Sequence, residues 1–98
     1  MKDPIIFNFS KIYTYHTFYT LCKQKLNLPA YFGNNLDALW DYITGDMELP
    51  ITIHFTGISP YHEKKFKALL QLMQEAAHEM PGDFIFNTER NEYDEGVG

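Results

Sequence analysis

Ninety-eight residues, 45% hydrophobic and 16% aromatic, make one globular domain, because a second core would leave each half too little surface to bury. The net charge of −5 argues against nucleic acid as a direct ligand, since phosphate contacts rely on lysine and arginine; it suits a basic partner, or plain solubility. Cys22 is the only cysteine, which excludes an intrachain disulfide and a cysteine-based metal cage, and no apolar run approaches the ~20 residues of a membrane span.

In chain order, the first four residues lead into a short apolar run broken at Asn8, which is not the pattern of a signal peptide. With a lone cysteine, a reducing cytoplasm is the expected compartment. Ile5, Phe7 and Phe9 alternate with Ile6 and Asn8, a period of two that predicts a buried first strand. Between Thr14 and Leu28, Phe18, Leu21, Cys22 and Leu26 fall at helical spacing, and Pro29 is expected to enforce the stop. Tyr31-Phe32-Gly33 reads as a turn. Asn34 or Asn35 then caps a short second helix running to about Thr44, with Gly45 as its exit.

Pro50 introduces a second strand over residues 51–56, where Ile51, Ile53 and Phe55 alternate with Thr52, His54 and Thr56. Ser59-Pro60 is a cap followed by an N1 proline and opens one long helix to about Met80, with Phe66, Leu69, Leu70, Met73, Ala76, Ala77 and Met80 as its apolar stripe. Pro81-Gly82 ends it, and Phe84-Ile85-Phe86 is a third strand. From Thr88 the chain turns polar and acidic, so the expected organisation is one domain over residues 1–88 and a flexible acidic tail over 89–98. Helices separate every strand pair, which predicts an α/β fold: a small three-stranded parallel sheet packed with three to four helices.

Charge is laid out unevenly. Residues 1–25 sum to +3 and residues 63–98 to −4, while residues 26–62 carry no lysine or arginine and sum to −4 through Asp37, Asp41, Asp46 and Glu48. Charge runs are usually no more than solvated faces, but helix geometry sharpens this one. Leu36, Leu39 and Ile43 form a stripe suited to the core, whereas Asp37, Trp40, Asp41 and Thr44 form another that faces largely away from it. Asp37 suits the first helical turn, where the dipole favours an acid; Asp41, four residues on, gains nothing from the helix. A tryptophan between two uncompensated carboxylates resembles a binding hot spot. Trp40 also lies near the border of the apolar stripe, so edge packing and partner contact are both open to it, as they are to Tyr31.

These residues carry a likeness. Leu28-Pro29-Ala30-Tyr31-Phe32-Gly33-Asn34-Asn35-Leu36-Asp37-Ala38-Leu39-Trp40-Asp41, continued by Thr44-Gly45, closely resembles the loop-and-helix segment of the barstar family, intracellular inhibitors of barnase-type ribonucleases. Leu70-Gln71-Leu72-Met73-Gln74-Glu75-Ala76 resembles the helix that carries the family's outlying acidic contact. The resemblance covers the order of elements from about Ile5 to Asn87 and is dense from Leu28 to Gly45.

It implies a bacterial, cytoplasmic immunity protein. Such a protein is a monomer that forms a 1:1 complex with a basic, extracellular-type ribonuclease and plugs its active site with carboxylates in place of phosphates. On that basis Asp41 is the central phosphate mimic, Asp37 meets neighbouring basic residues, and Tyr31 packs at the enzyme's active-site histidine. Asn35, Ala38, Trp40, Thr44 and Gly45 supply further central contacts, and Glu75 meets a basic residue at the rim. Asp46 and Glu48 extend the expected contact set. There the chain departs from the family, having Asp46-Met47-Glu48 where barstar has Trp-Val-Glu; it also has Asn34 for a glutamate and Tyr42 for a cysteine. No catalytic residue, metal or cofactor is assigned.

Two rival readings differ in class. An enzyme would use Asp37 and Asp41 with His54, His62 or His78, but no His-x-x-x-His, glycine-rich phosphate loop or nucleophile signature accompanies them. A binding or immunity module for a target other than a ribonuclease would keep the same loop and helix for largely structural reasons.

Overall fold

The alternating apolar residues at the amino terminus form the first strand, β1 (Ile5–Asn8), of a computed structural model that describes residues 3–91. Helix α1 (Tyr15–Lys25) and the short α2 (Leu36–Asp41) follow before β2 (Ile51–Ile58). Two further helices, α3 (Pro60–Lys65) and α4 (Lys67–Glu79), lead to β3 (Phe84–Arg90). The strands make one sheet in the order β1-β2-β3, parallel throughout, with Phe7 opposite Phe55 and Ile53 opposite Phe86. This is the predicted three-stranded parallel α/β fold.

Period-two alternation decides which face is buried. Phe7, Ile53, Phe55 and Phe84 point into the core with Phe18 and Cys22 of α1, Leu39 of α2, and Leu69 and Met73 of α4. On the other face Ile6, Asn8, Ile85 and Asn87 are exposed, with Thr52 and His54 half-buried between them. The centre is aromatic: the Phe9 ring lies 4.6 Å from Phe55 and 5.2 Å, edge-on, from Phe66. Such offset and edge-on pairs add about 0.5–1.5 kcal/mol each beyond burial.

Several boundaries differ from the sequence reading. Phe9 leaves the strand for a single helical turn, Phe9–Lys11, capped by the Asn8 side chain, yet its ring stays fully buried. Helix α1 ends before Pro29 rather than at it. Asn27 takes the left-handed conformation (φ 56°), and the Leu28 N–H reaches back to the Lys23 carbonyl, closing the helix with a Schellman-type bond. The single long helix is two. Phe66 (φ −105°, ψ 25°) breaks it, because its ring is drawn into the core against Phe9, Tyr15 and His62.

The third strand runs past Phe86 through Thr88 and takes in Glu89 and Arg90, which the polar composition had assigned to a tail. Backbone pairing holds this segment: Thr88 lies opposite Phe55, Arg90 opposite Ile58, and the Asn91 N–H donates to the Ile58 carbonyl at 2.9 Å. Glu89 also pairs with His54 across the strands at 3.6 Å. An edge strand with solvated side chains needs no apolar alternation. The rest of the expected tail, residues 92–98, lies outside the described residues.

Candidate partner-binding face

The loop before α2 is pinned at one residue and projects the next. Phe32 is half-buried, its ring 6.3 Å from Tyr19, and its N–H closes a turn on the Pro29 carbonyl. Tyr31 is 89% exposed, so it does not cap the core. Of the two candidate caps, Asn35 is the one used. Its Oδ1 accepts the Ala38 N–H at 2.8 Å, satisfying one of the helix's orphan donors. Ala38 itself is half-buried.

Helix α2 buries Leu39, and Ile43 follows it into the core, while Leu36, Trp40 and Tyr42 pack half-buried around them. Trp40 therefore faces the helix edge rather than fully outward, as its border azimuth allowed. Asp37 and Asp41 are both exposed, one helical turn apart. Among the described residues no cationic side chain lies within 4 Å of either. The like charges cost this helix stability; the dipole offsets part of this at Asp37, and among the described residues no cation offsets it at Asp41.

The helix does not stop at Thr44. It widens into a π-helical turn, Tyr42–Asp46, closed by the Met47 N–H on the Tyr42 carbonyl at 2.8 Å. Gly45 is thus inside a helical turn and is not a left-handed exit; a methyl group there would meet no atom within 4 Å. The Thr44 hydroxyl donates back to the Trp40 carbonyl at 2.8 Å. π-turns are rare and recur at functional sites. Here the widening sets Thr44, Gly45 and Asp46, all exposed, just beyond Asp41.

Tyr42 is a positioning residue that pattern reading missed. Its hydroxyl donates to the Leu26 carbonyl at 3.4 Å, tying the end of α2 to the end of α1. Burial raises the phenol above its ordinary range, and the Asp46 and Glu48 carboxylates add to the rise, so Tyr42 stays a neutral donor. Its signals in the sequence were its place one residue after Asp41, off the outward stripe, and its departure from the family's cysteine at that position.

Glu75 is exposed on α4, the helix packed beside α2. The structure thus brings Tyr31, Asn35, Asp37, Asp41, Thr44, Gly45 and Asp46 together on one loop-and-helix unit, with Glu48 just past it and Glu75 on the neighbouring helix. Of the histidines considered for an enzyme, His78 is exposed on α4 beside Glu75, and the other two lie elsewhere. His62 is 2% exposed, accepts the Ser59 N–H at Nδ1 (3.1 Å) and meets the Ile12 carbonyl through Nε2 (2.7 Å), while His54 faces Glu89. What the face offers chemically is a set of exposed carboxylates, able to accept charge-assisted hydrogen bonds from cations of another molecule. Among the described residues no helix is long and apolar enough to cross a membrane.

Comparison with known proteins identifies the family of the chain. The protein named "Putative ribonuclease inhibitor YrdF" of Bacillus subtilis (strain 168) is 38% identical over 65 residues, spanning 63% of this chain and 71% of that protein. Residues 3–93 match the family model described as Barstar (barnase inhibitor). The chain belongs to the barstar family.

Proposed function

We propose that this protein inhibits a basic, extracellular-type ribonuclease, forming a 1:1 complex in the cytoplasm and seating α2 and its preceding loop in the enzyme's active site. The observation that carries the reading is the Asp37–Asp41 pair: two exposed, uncompensated carboxylates on one helix of a barstar-family chain. A ribonuclease active site must be cationic to hold RNA phosphates, so an acidic helix is complementary to it. In this reading Asp41 takes the place of the central phosphate and Asp37 that of a neighbouring one. Tyr31 supplies an aromatic contact at its edge. Asn35, Ala38, Trp40, Thr44 and Gly45 fill the central contact, Asp46 and Glu48 extend its negative charge, and Glu75 meets a basic residue at the rim. The protein itself performs no catalysis and uses no metal or cofactor.

The test is capture on the immobilised protein from lysate and culture medium of the native organism, followed by a ribonuclease assay of what is retained. Retained ribonuclease activity that the free protein suppresses supports the reading. A retained partner without ribonuclease activity would instead support a binding module for another target on the same fold.

A further inference from the structure

The amino-terminal third of the chain has a second surface of opposite sign. Among the described residues strand β1 is an edge strand, hydrogen-bonded to β2 alone. Beside its free edge runs an open groove of about 760 Å³, floored by Ile6 and Asn8 and walled by the flank of α1 through His16 and Thr20. Lys11 stands in the groove beyond the carboxyl end of β1, and Lys25, at the end of α1, stands in it near the other. The Lys25 ammonium lies 5.9 Å from the centre of the core-facing Phe7 ring. Among the described residues no acidic side chain lines the groove and no carboxylate lies within 4 Å of either lysine, although Asp3 and Glu48 border the adjoining hollow that Lys25 also lines. Ile6, at the middle, is 47% exposed.

We infer that this groove receives an extended acidic peptide segment of a partner, added as a fourth strand to the free edge of β1. The unpaired main-chain groups of an edge strand are a template for an incoming strand, which supplies affinity, while pockets and charges along it supply selectivity. A segment lying along β1 places an apolar side chain over Ile6 and presents a carboxylate toward the lysine at each end. A peptide fits better than a nucleic acid, because the apolar centre and the strand edge offer nothing that reads a phosphate backbone, and two separated lysines neutralise little of one. The groove does not involve the acidic helix, so the proposal stands apart from ribonuclease inhibition.

The experiment is an amide-resolved NMR titration of the full chain with a capped seven-residue peptide of alternating valine and glutamate. Two comparison peptides accompany it, one with lysine for glutamate and one N-methylated at alternate amides. The expected result is saturable binding with shifts confined to Ile5–Asn8 and the facing flank of α1. Both comparison peptides and the K11E/K25E variant should bind at least about tenfold more weakly, a loss that shrinks with salt for the lysine peptide and the variant but not for the N-methylated peptide. Melting curves report whether the variant folds, and the peptide comparison on the unaltered chain decides the matter if it does not.

No saturation up to roughly millimolar peptide, the affinity floor of a specific contact, would overturn the proposal and mark the lysines as guards against strand pairing. Equal binding of the N-methylated peptide would also overturn it, leaving only a charge attraction. Binding of oligouridylate in the groove without binding of the acidic peptide would make it a nucleic-acid surface instead.

Discussion

Replacing Asp41 with asparagine separates the cost this residue imposes on folding from the use it has in binding. Asp41 is exposed, has no cation within 4 Å among the described residues and lies one turn from the like-charged Asp37, with the helical path running on through Asp46. Relieving the i,i+4 repulsion returns about 0.2–0.5 kcal/mol. The variant should therefore be more stable by about 0.2–0.5 kcal/mol, which in a domain of this size raises Tm by about 1–4 °C. The gain should shrink as ionic strength rises from about 0.01 M toward about 1 M, because the charges are screened. Against a ribonuclease the same variant should lose about 2–5 kcal/mol of affinity, since it leaves the enzyme's buried cations unpaired; the barnase–barstar pair is itself a reference case for that range. Circular dichroism melts at two salt concentrations, paired with a binding isotherm, test both halves. A variant that melts below wild type would refute the reasoning, because Asp41 would then be holding the fold.

Other consequences follow from the core. Gly57 is left-handed (φ 69°) at the irregularity between β2 and β3, and a methyl group there would meet the Ser10 nitrogen at 2.9 Å. Gly57→Ala should cost about 1–3 kcal/mol or more in chemical denaturation. Cys22 is fully buried and burial pushes its thiol well up, so a thiol reagent should leave it unmodified at pH 8 in the native state and label it only as denaturant unfolds the chain. Burial, assisted by the neighbouring Tyr15 and Cys22, pushes the Tyr19 phenol up from 10.0 to about 12. Between those values the unfolded chain has released a proton that the folded chain keeps, so stability is undiminished below about pH 10 and falls as pH rises toward 12. Ultraviolet titration should find Tyr19 ionising last, with a Tyr19→Phe variant flattening that alkaline loss.

Elements with a strong apolar period were readable from sequence, and so was the topology, since helices between every pair of strands leave parallel pairing as the default. What escaped was decided by contacts that periodicity does not register. The break at Phe66 follows from one ring drawn toward Phe9 and His62; the hint was that the apolar stripe begins only there, after the polar run from Pro60 to Lys65. The length of β3 follows from backbone pairing to β2, which exposed Thr88, Glu89 and Arg90 do not advertise. On the candidate site, Asp37 and Asp41 were placed outward by helix geometry alone. Asn35 over Asn34 as cap, Tyr31 as projecting and Trp40 as half-buried needed coordinates, because each choice turns on a loop conformation or an azimuth at the edge of a stripe.

Salt-dependent association with a basic extracellular ribonuclease tests the central claim most directly. Stopped-flow rates should be measured from low to high ionic strength for wild type and for D37N/D41N, with inhibition of RNA cleavage read on the same samples. If the acidic helix enters a cationic active site, the wild-type on-rate is high at low salt and falls steeply as salt rises. The double variant shows a lower rate, a shallower slope and little inhibition. A wild-type on-rate indifferent to salt, or a double variant that inhibits as well as wild type, would contradict the account.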